Sequence, residues 1–133
     1  MNMRRVREEE LDYSDEQVCL FEGQPFSGIA YDVQDEVLIG EVQYQDGLRH
    51  GTSKFWYPAG SLFMEEHFFK DTRHGLSAEW YEGGACKRRS NYEHGILTAE
   101  KTWDQSGALT GHFELQTDDP MFELLALRRK ANG

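Results

Sequence analysis

The chain has 133 residues, eight Phe, six Tyr and three Trp among them, and a formal net charge of −10. That length suits one domain with a modest core. The aromatic content excludes a disordered chain, which lacks the apolar groups that offset ordering entropy. The charge argues against nucleic acid and membrane surfaces as partners, because binding to phosphate backbones and anionic lipids rests on Lys and Arg.

From the N-terminus, residues 1–19 read as an acidic lead-in. Met1 to Asp12 is charged and has no apolar centre of the kind a secretory signal needs. No stretch approaches the eighteen apolar residues of a membrane span. The two cysteines, Cys19 and Cys86, stand in no metal or redox spacing and read as buried reduced thiols, so a cytoplasmic protein is expected. Between Glu8 and Leu48 there are twelve acids and no Lys or Arg. Seven of them, Asp12, Asp15, Glu16, Glu22, Asp32, Asp35 and Glu36, are the candidate contacts for a cationic partner. A solvated surface would intersperse lysines among so many like charges, so the run points to recognition. The bases gather in three small patches, at Arg4–Arg7, Lys87–Arg89 and Arg128–Lys130, too small for a nucleic-acid groove.

Residues 20–117 read as about four hairpin units of 24 residues. Tyr44, Gly47, His50-Gly51, Trp56-Tyr57 and Gly60 are followed at that spacing by Phe68, Asp71, His74-Gly75, Trp80-Tyr81 and Gly84. A third advance reaches Tyr92 and Gly95 and then decays: Thr98-Ala99 stand in place of His-Gly, and Trp103 and Gly107 come one position early. A worn copy runs upstream from Leu20 through Phe26, Gly28 and Tyr31. Gln45-Asp46-Gly47 is a tight hairpin signal, and Tyr57-Pro58-Ala59-Gly60 sets a second kind of turn. Segments of strand length rich in aromatic and β-branched residues lie between. The reading is therefore a mainly all-β chain, an antiparallel meander of about eight strands roughly 35 Å wide. In it Gly47, His50, Gly51, Gly60, His74, Gly75, Gly84, Gly95 and Gly107 serve the repeat itself.

Residues 118–133 change grammar. Asp119 suits a helix cap, Pro120 the first helical position, and Arg128-Arg129-Lys130 the negative end of the helix dipole. A short C-terminal helix covering the last repeat is expected, as terminal units of repeat arrays need.

The pattern Tyr44-x-x-Gly47-x-x-His50-Gly51 … Trp56-Tyr57-x-x-Gly60-x-Leu62-x-x-Glu65 resembles the MORN-repeat variant of small bacterial proteins known as YwqK-type antitoxins. The resemblance covers about Leu20 to Leu115, and Gly23–Gly28 is similar to the segment that often precedes such arrays. It implies tandem β-hairpins in a non-enzymatic protein that neutralises a toxin by binding it.

No catalytic, cofactor or metal constellation stands out. His67, His94 and His112 form no metal spacing, and Glu65-Glu66 on a strand point to opposite faces. Trp56 and Trp80 serve either the packing of the ribbon or an interface, where Trp is a favoured anchor. The expected partner is a basic toxin or effector protein. The alternative is a scaffold or self-association module that forms homodimers through strand edges.

Overall fold

The computed structural model describes residues 3–132, so Met1 and Asn2 of the lead-in and Gly133 of the tail lie outside the described residues. The fold is mainly β with one C-terminal helix, an antiparallel meander as the sequence reading expects. Strand β1 (Arg5–Arg7) is followed by a 3-10 turn (Glu8–Glu10), then by β2 (Leu11–Tyr13), β3 (Cys19–Phe21) and β4 (Gln24–Pro25). Four hairpins come next: β5 (Gly28–Gln34) with β6 (Val37–Gln45), β7 (Leu48–Trp56) with β8 (Leu62–Phe69), β10 (Gly75–Trp80) with β11 (Cys86–Glu93), and β12 (Ile96–Trp103) with β13 (Leu109–Glu114). A two-residue strand, β9 (Thr72–Arg73), extends the edge of β8, and helix α1 (Pro120–Asn132) ends the described chain.

The hairpins pair side by side in chain order in one long sheet. Two features depart from a plain meander. The lead-in supplies β1, which joins the sheet in parallel beside β5, with Val6 opposite Ala30. It also supplies β2, which with β3 and β4 makes a separate three-stranded sheet. Val6 and Ala30 from the long sheet pack with Leu11, Cys19 and Phe26, flanked by Phe21 and Tyr44, to make the main apolar core. Cys19 is fully buried there and burial pushes its thiol pKa up, which leaves it unreactive. Cys86 is only half-buried, against the expectation of two buried thiols.

Successive hairpins are joined at one edge by two-residue turns with positive φ at both positions: Asp46-Gly47, Lys70-Asp71 and His94-Gly95. This is the geometry whose twist matches paired strands. Asp71 therefore occupies the conformation glycine holds in the turns on either side, which accounts for the substitution in the repeat. The three turns are stitched to preceding strands, since Gly47, Asp71 and Gly95 N–H groups donate to the carbonyls of Phe26, Arg49 and Arg73 at 2.7–2.8 Å. Gly47 also accepts from the Cys19 N–H at 2.8 Å, fastening the small sheet to the large one.

The missing residue of the third unit has a structural cause. Between β6 and β7 the pairing passes from Val42↔Ser53 to Tyr44↔Arg49, so two extra residues bulge out of β7 around His50-Gly51. The same double bulge occurs around His74-Gly75, where pairing with the β8 strand passes from Ala78↔Glu65 to Arg73↔Phe68. In β12 the pairing passes from Ala99↔Asn91 to Leu97↔Tyr92, a bulge of one residue. Thr98-Ala99 thus replaces His-Gly in a smaller bulge, and Trp103 and Gly107 arrive one position early.

Asp119 caps α1, its carboxylate accepting the Met121 N–H at 2.8 Å. Leu125 is buried, Arg128 donates to the His94 carbonyl at 2.7 Å, and Arg129 pairs with Glu93 at 2.6 Å. The polar contacts of the helix therefore go to the β11–β12 turn, leaving exposed residues along β13, among them Leu109 and Phe113.

Two predictions follow from these junctions. Alanine at Gly47 would carry the left-handed strain, about 1–2 kcal/mol, and its Cβ would collide with the Val18 side chain and sit 2.9 Å from the Cys19 carbonyl. At Gly60 the strain is the same in kind but the added Cβ meets nothing within 4 Å. Urea melts should show Gly47→Ala costing roughly 1–3 kcal/mol more than Gly60→Ala. Separately, the Arg129 guanidinium holds the Glu93 carboxyl below its usual range, with His74 and His94 nearby. A depressed carboxyl pKa contributes stability that is present above the unfolded value and is lost as pH falls through the folded one. Amide protection factors across α1, taken relative to the intrinsic exchange rate at each pH, should therefore fall below about pH 4, and Glu93→Gln should remove that acid-dependent step.

Candidate functional site

Strand alternation and the pairing register assign every hairpin residue to one of two faces. One face carries the row Val6–Ala30–Val42–Ser53–Glu66–Ser77–Ser90–Glu100. Its first members meet the small sheet. Its later members are polar and held by neighbours, Glu66 by Arg73 at 2.8 Å and Ser90 by Glu100 at 2.8 Å.

The opposite face carries the tryptophans. Trp56, Trp80 and Trp103 each lie three residues beyond a member of the first row, Ser53, Ser77 and Glu100, with no intervening bulge in their own strands, so all three point away from it. They are paired with Leu62, Cys86 and Leu109, and Val33 with Leu38 takes the corresponding place in the first hairpin. An apolar row, half-buried except at the exposed Leu109, thus crosses all four hairpins just before the loop edge. The small sheet packs with Val6 and Ala30 of the other face, and the polar contacts of α1 go to the turn edge.

Hydrogen bonds between units hold this row in place. The Tyr57 hydroxyl donates to the Trp80 carbonyl at 2.7 Å, and the Tyr81 hydroxyl to the Trp103 carbonyl at 2.9 Å. Asp104 stands at the third loop instead of Tyr, where no further hairpin lies alongside among the described residues to receive the bond. Its carboxylate accepts from the Ser106 hydroxyl and from the Ser106 and Ala108 N–H groups, which lowers its pKa. Tyr57 also packs edge-on against Phe63. At the turn edge the histidines act alike: His50 Nδ1 accepts the Lys70 N–H at 3.3 Å, and His74 Nδ1 the His94 N–H at 3.0 Å.

Next to the tryptophan row runs a polar one, Tyr31–Glu41–Lys54–Glu65–Ala78–Arg89–Lys101–His112. It carries acids toward the first hairpins and bases toward the last. Lys54 and Glu65 pair across it at 3.7 Å.

The acidic candidates do not form one patch. Asp32 lines an open cavity of about 320 Å³ with Glu8, Glu9 and Tyr31. Asp12, Asp15 and Glu16 lie exposed on the β2–β3 hairpin, and Glu22 in the β3–β4 turn. Asp35 and Glu36 form the β5–β6 turn, separated from Glu22 by the length of β5, roughly 20 Å. The run is also opposed in space, because β1 brings Arg5 into an ion pair with Glu41 and Arg5 and Arg7 over the Tyr31 ring. Sequence spacing alone concealed this, since the opposing bases come from β1, outside the acidic run. It equally concealed that Trp103 shares the face of Trp56 and Trp80; the one-residue deficit at Thr98-Ala99 was the available signal. Tyr13 and Tyr44 share a hydrogen bond of 3.2 Å beside the core, and burial raises both pKa values.

No family model matches the chain, and no solved structure matches it significantly. The sequence is 39% identical over 111 residues to the protein of Bacillus subtilis (strain 168) called Immunity protein YwqK, a match that covers 83% of this chain and 72% of that protein.

Proposed function

Because the chain belongs to the YwqK immunity-protein family, we propose that it is a non-catalytic, cytoplasmic immunity protein of MORN-like hairpin repeats that neutralises a toxin by binding it directly. The row of Trp56, Trp80 and Trp103 on an uncovered sheet face carries this reading. Large rigid side chains aligned on a backbone that their neighbours fix lose little freedom on docking, which is the quality of an interface anchor. Acidic residues around β2 and β3, on the side of the sheet away from the tryptophans, and at the 3-10 turn add a long-range attraction for a basic toxin and speed its approach. Arg89 and Lys101 at the far end of the same face give the docked partner a direction. Cys19 and Cys86 are free thiols, the state a reducing compartment maintains.

A second reading, self-association, draws on β13, whose outer edge has no partner strand among the described residues and which exposes Leu109 and Phe113. Light scattering separates the two: a stable homo-oligomer that takes up no other protein supports self-association.

The test of the leading reading is co-expression with the product of the adjacent gene. Co-purification and relief of toxicity are expected. Trp80→Ala should weaken the complex roughly 30-fold, about 2 kcal/mol, mainly through faster dissociation. Reversing Asp15 and Glu16 to Lys should instead slow association and flatten its salt dependence. Full neutralisation by a triple Trp56, Trp80 and Trp103 to Ala variant with a native β spectrum would remove the tryptophan face from the mechanism.

A further inference from the structure

The turn edge carries a second feature that toxin binding does not use. Between the last two turns and α1 lies an open cavity of about 330 Å³, bordered by Lys70, Thr72, His74, His94 and Arg128, with Phe69 beneath Lys70. Asn132 also borders it, and among the described residues no carboxylate does, in a chain of net charge −10. The acids of neighbouring strands are already engaged: Asp71 by Arg49 at 2.6 Å, Glu66 by Arg73 at 2.8 Å and Glu93 by Arg129 at 2.6 Å. Lys70 and Arg128 are left without a counter-charge among the described residues.

Two of the donors, on His74 and Arg128, are also fixed in place. His74 Nδ1 accepts the His94 N–H, so the neutral ring carries its proton on Nε2, as a free donor. The two imidazoles lie 4.8 Å apart, centre to centre. Arg128 spends one N–H on the His94 carbonyl and keeps the rest of its fork. Lys70 and His94 occupy the first position of their turns at φ 47° and 49°, where Asn, Asp or Gly is preferred and where the preceding turn has Asp46. Turn chemistry therefore does not explain why two groups able to carry positive charge stand there.

We propose that this cavity binds an oxyanion, a phosphate or carboxylate group, held by Lys70, the free N–H groups of Arg128, His74 Nε2 and the Thr72 hydroxyl. Convergent cationic donors around a small volume suit a group with several acceptor oxygens. The site lies at the turn edge, at the other end of the strands from the tryptophan row, so it is independent of the docking face proposed above.

The test uses the whole chain, labelled with nitrogen-15, and follows the imidazole signals of His74 and His94 and the Lys70 amide. Inorganic phosphate and succinate are titrated separately at constant pH, against sodium chloride at matched ionic strength. A saturable shift confined to these residues is expected, with Lys70→Gln lowering affinity about tenfold. Thr72→Val, which leaves all charges in place, should weaken binding less but measurably. Tighter binding of phosphate would assign the site to phosphorylated ligands, and tighter binding of succinate to carboxylates. Shifts no different from those in chloride, or unchanged binding by both variants, would overturn the proposal.

Discussion

A long sheet with little to cover it has to be held together sideways, one hairpin on the next, and this constraint governs the rest of the molecule. The small sheet covers one end of one face and α1 sits at the turn edge; elsewhere among the described residues each hairpin has only its neighbours. Three kinds of hydrogen bond recur between units: a turn N–H to the carbonyl of the preceding strand, a histidine Nδ1 to the next turn, and a tyrosine hydroxyl to the carbonyl of the next tryptophan. None reaches beyond an adjacent unit. Stability in such an array is a sum over neighbours, so its ends need separate solutions. The first hairpin is closed by β1 and the small sheet. At the last loop Asp104 binds its own turn in place of the tyrosine that would have needed a partner.

Much of this was legible in the residues, for reasons that are local. A two-residue turn demands positive φ and a strand alternates its faces, so Asp46-Gly47, His94-Gly95 and the paired Trp-Tyr steps announce themselves at fixed spacing. Asp119-Pro120 announces the helix in the same way, and its cap is in place. The lead-in was not legible. A three-residue strand such as Arg5–Arg7 has no periodicity of its own, and it is ordered by pairing with β5, a tertiary contact. The acidic run shows the converse. The twelve acids of one sequence run are divided by the fold among the 3-10 turn and its cavity, the β2–β3 hairpin, three tight turns and strand β6, with Arg5 and Arg7 placed against them from β1.

The polar row is electrostatically uneven along the sheet. Glu41 and Glu65 are neutralised by Arg5 and Lys54, whereas Arg89 and Lys101 toward the last hairpins are exposed. Positive charge concentrated at one end gives a binding face a direction, because a partner laid across it in reverse would lose its match there. The apolar row beside it has no gradient, so it contributes hold without direction. The two rows lie two residues apart on the first strand of each hairpin and three apart on the second, where a bulge adds one, and this lets one surface do both.

The shortened third unit shows which edge of the array the fold keeps constant. Losing one residue from a strand would normally turn every later side chain to the other face. Here the loss falls within a bulge, where the count of unpaired residues drops from two to one, and strand alternation beyond it is undisturbed. Trp103 therefore stays on the face of Trp56 and Trp80 although its number is out of step. The turn edge behaves differently: the first turn residue is Asp46, then Lys70, then His94, three chemistries in one backbone geometry. A uniform row at one edge and a changing one at the other would suit the two separate binding duties proposed above.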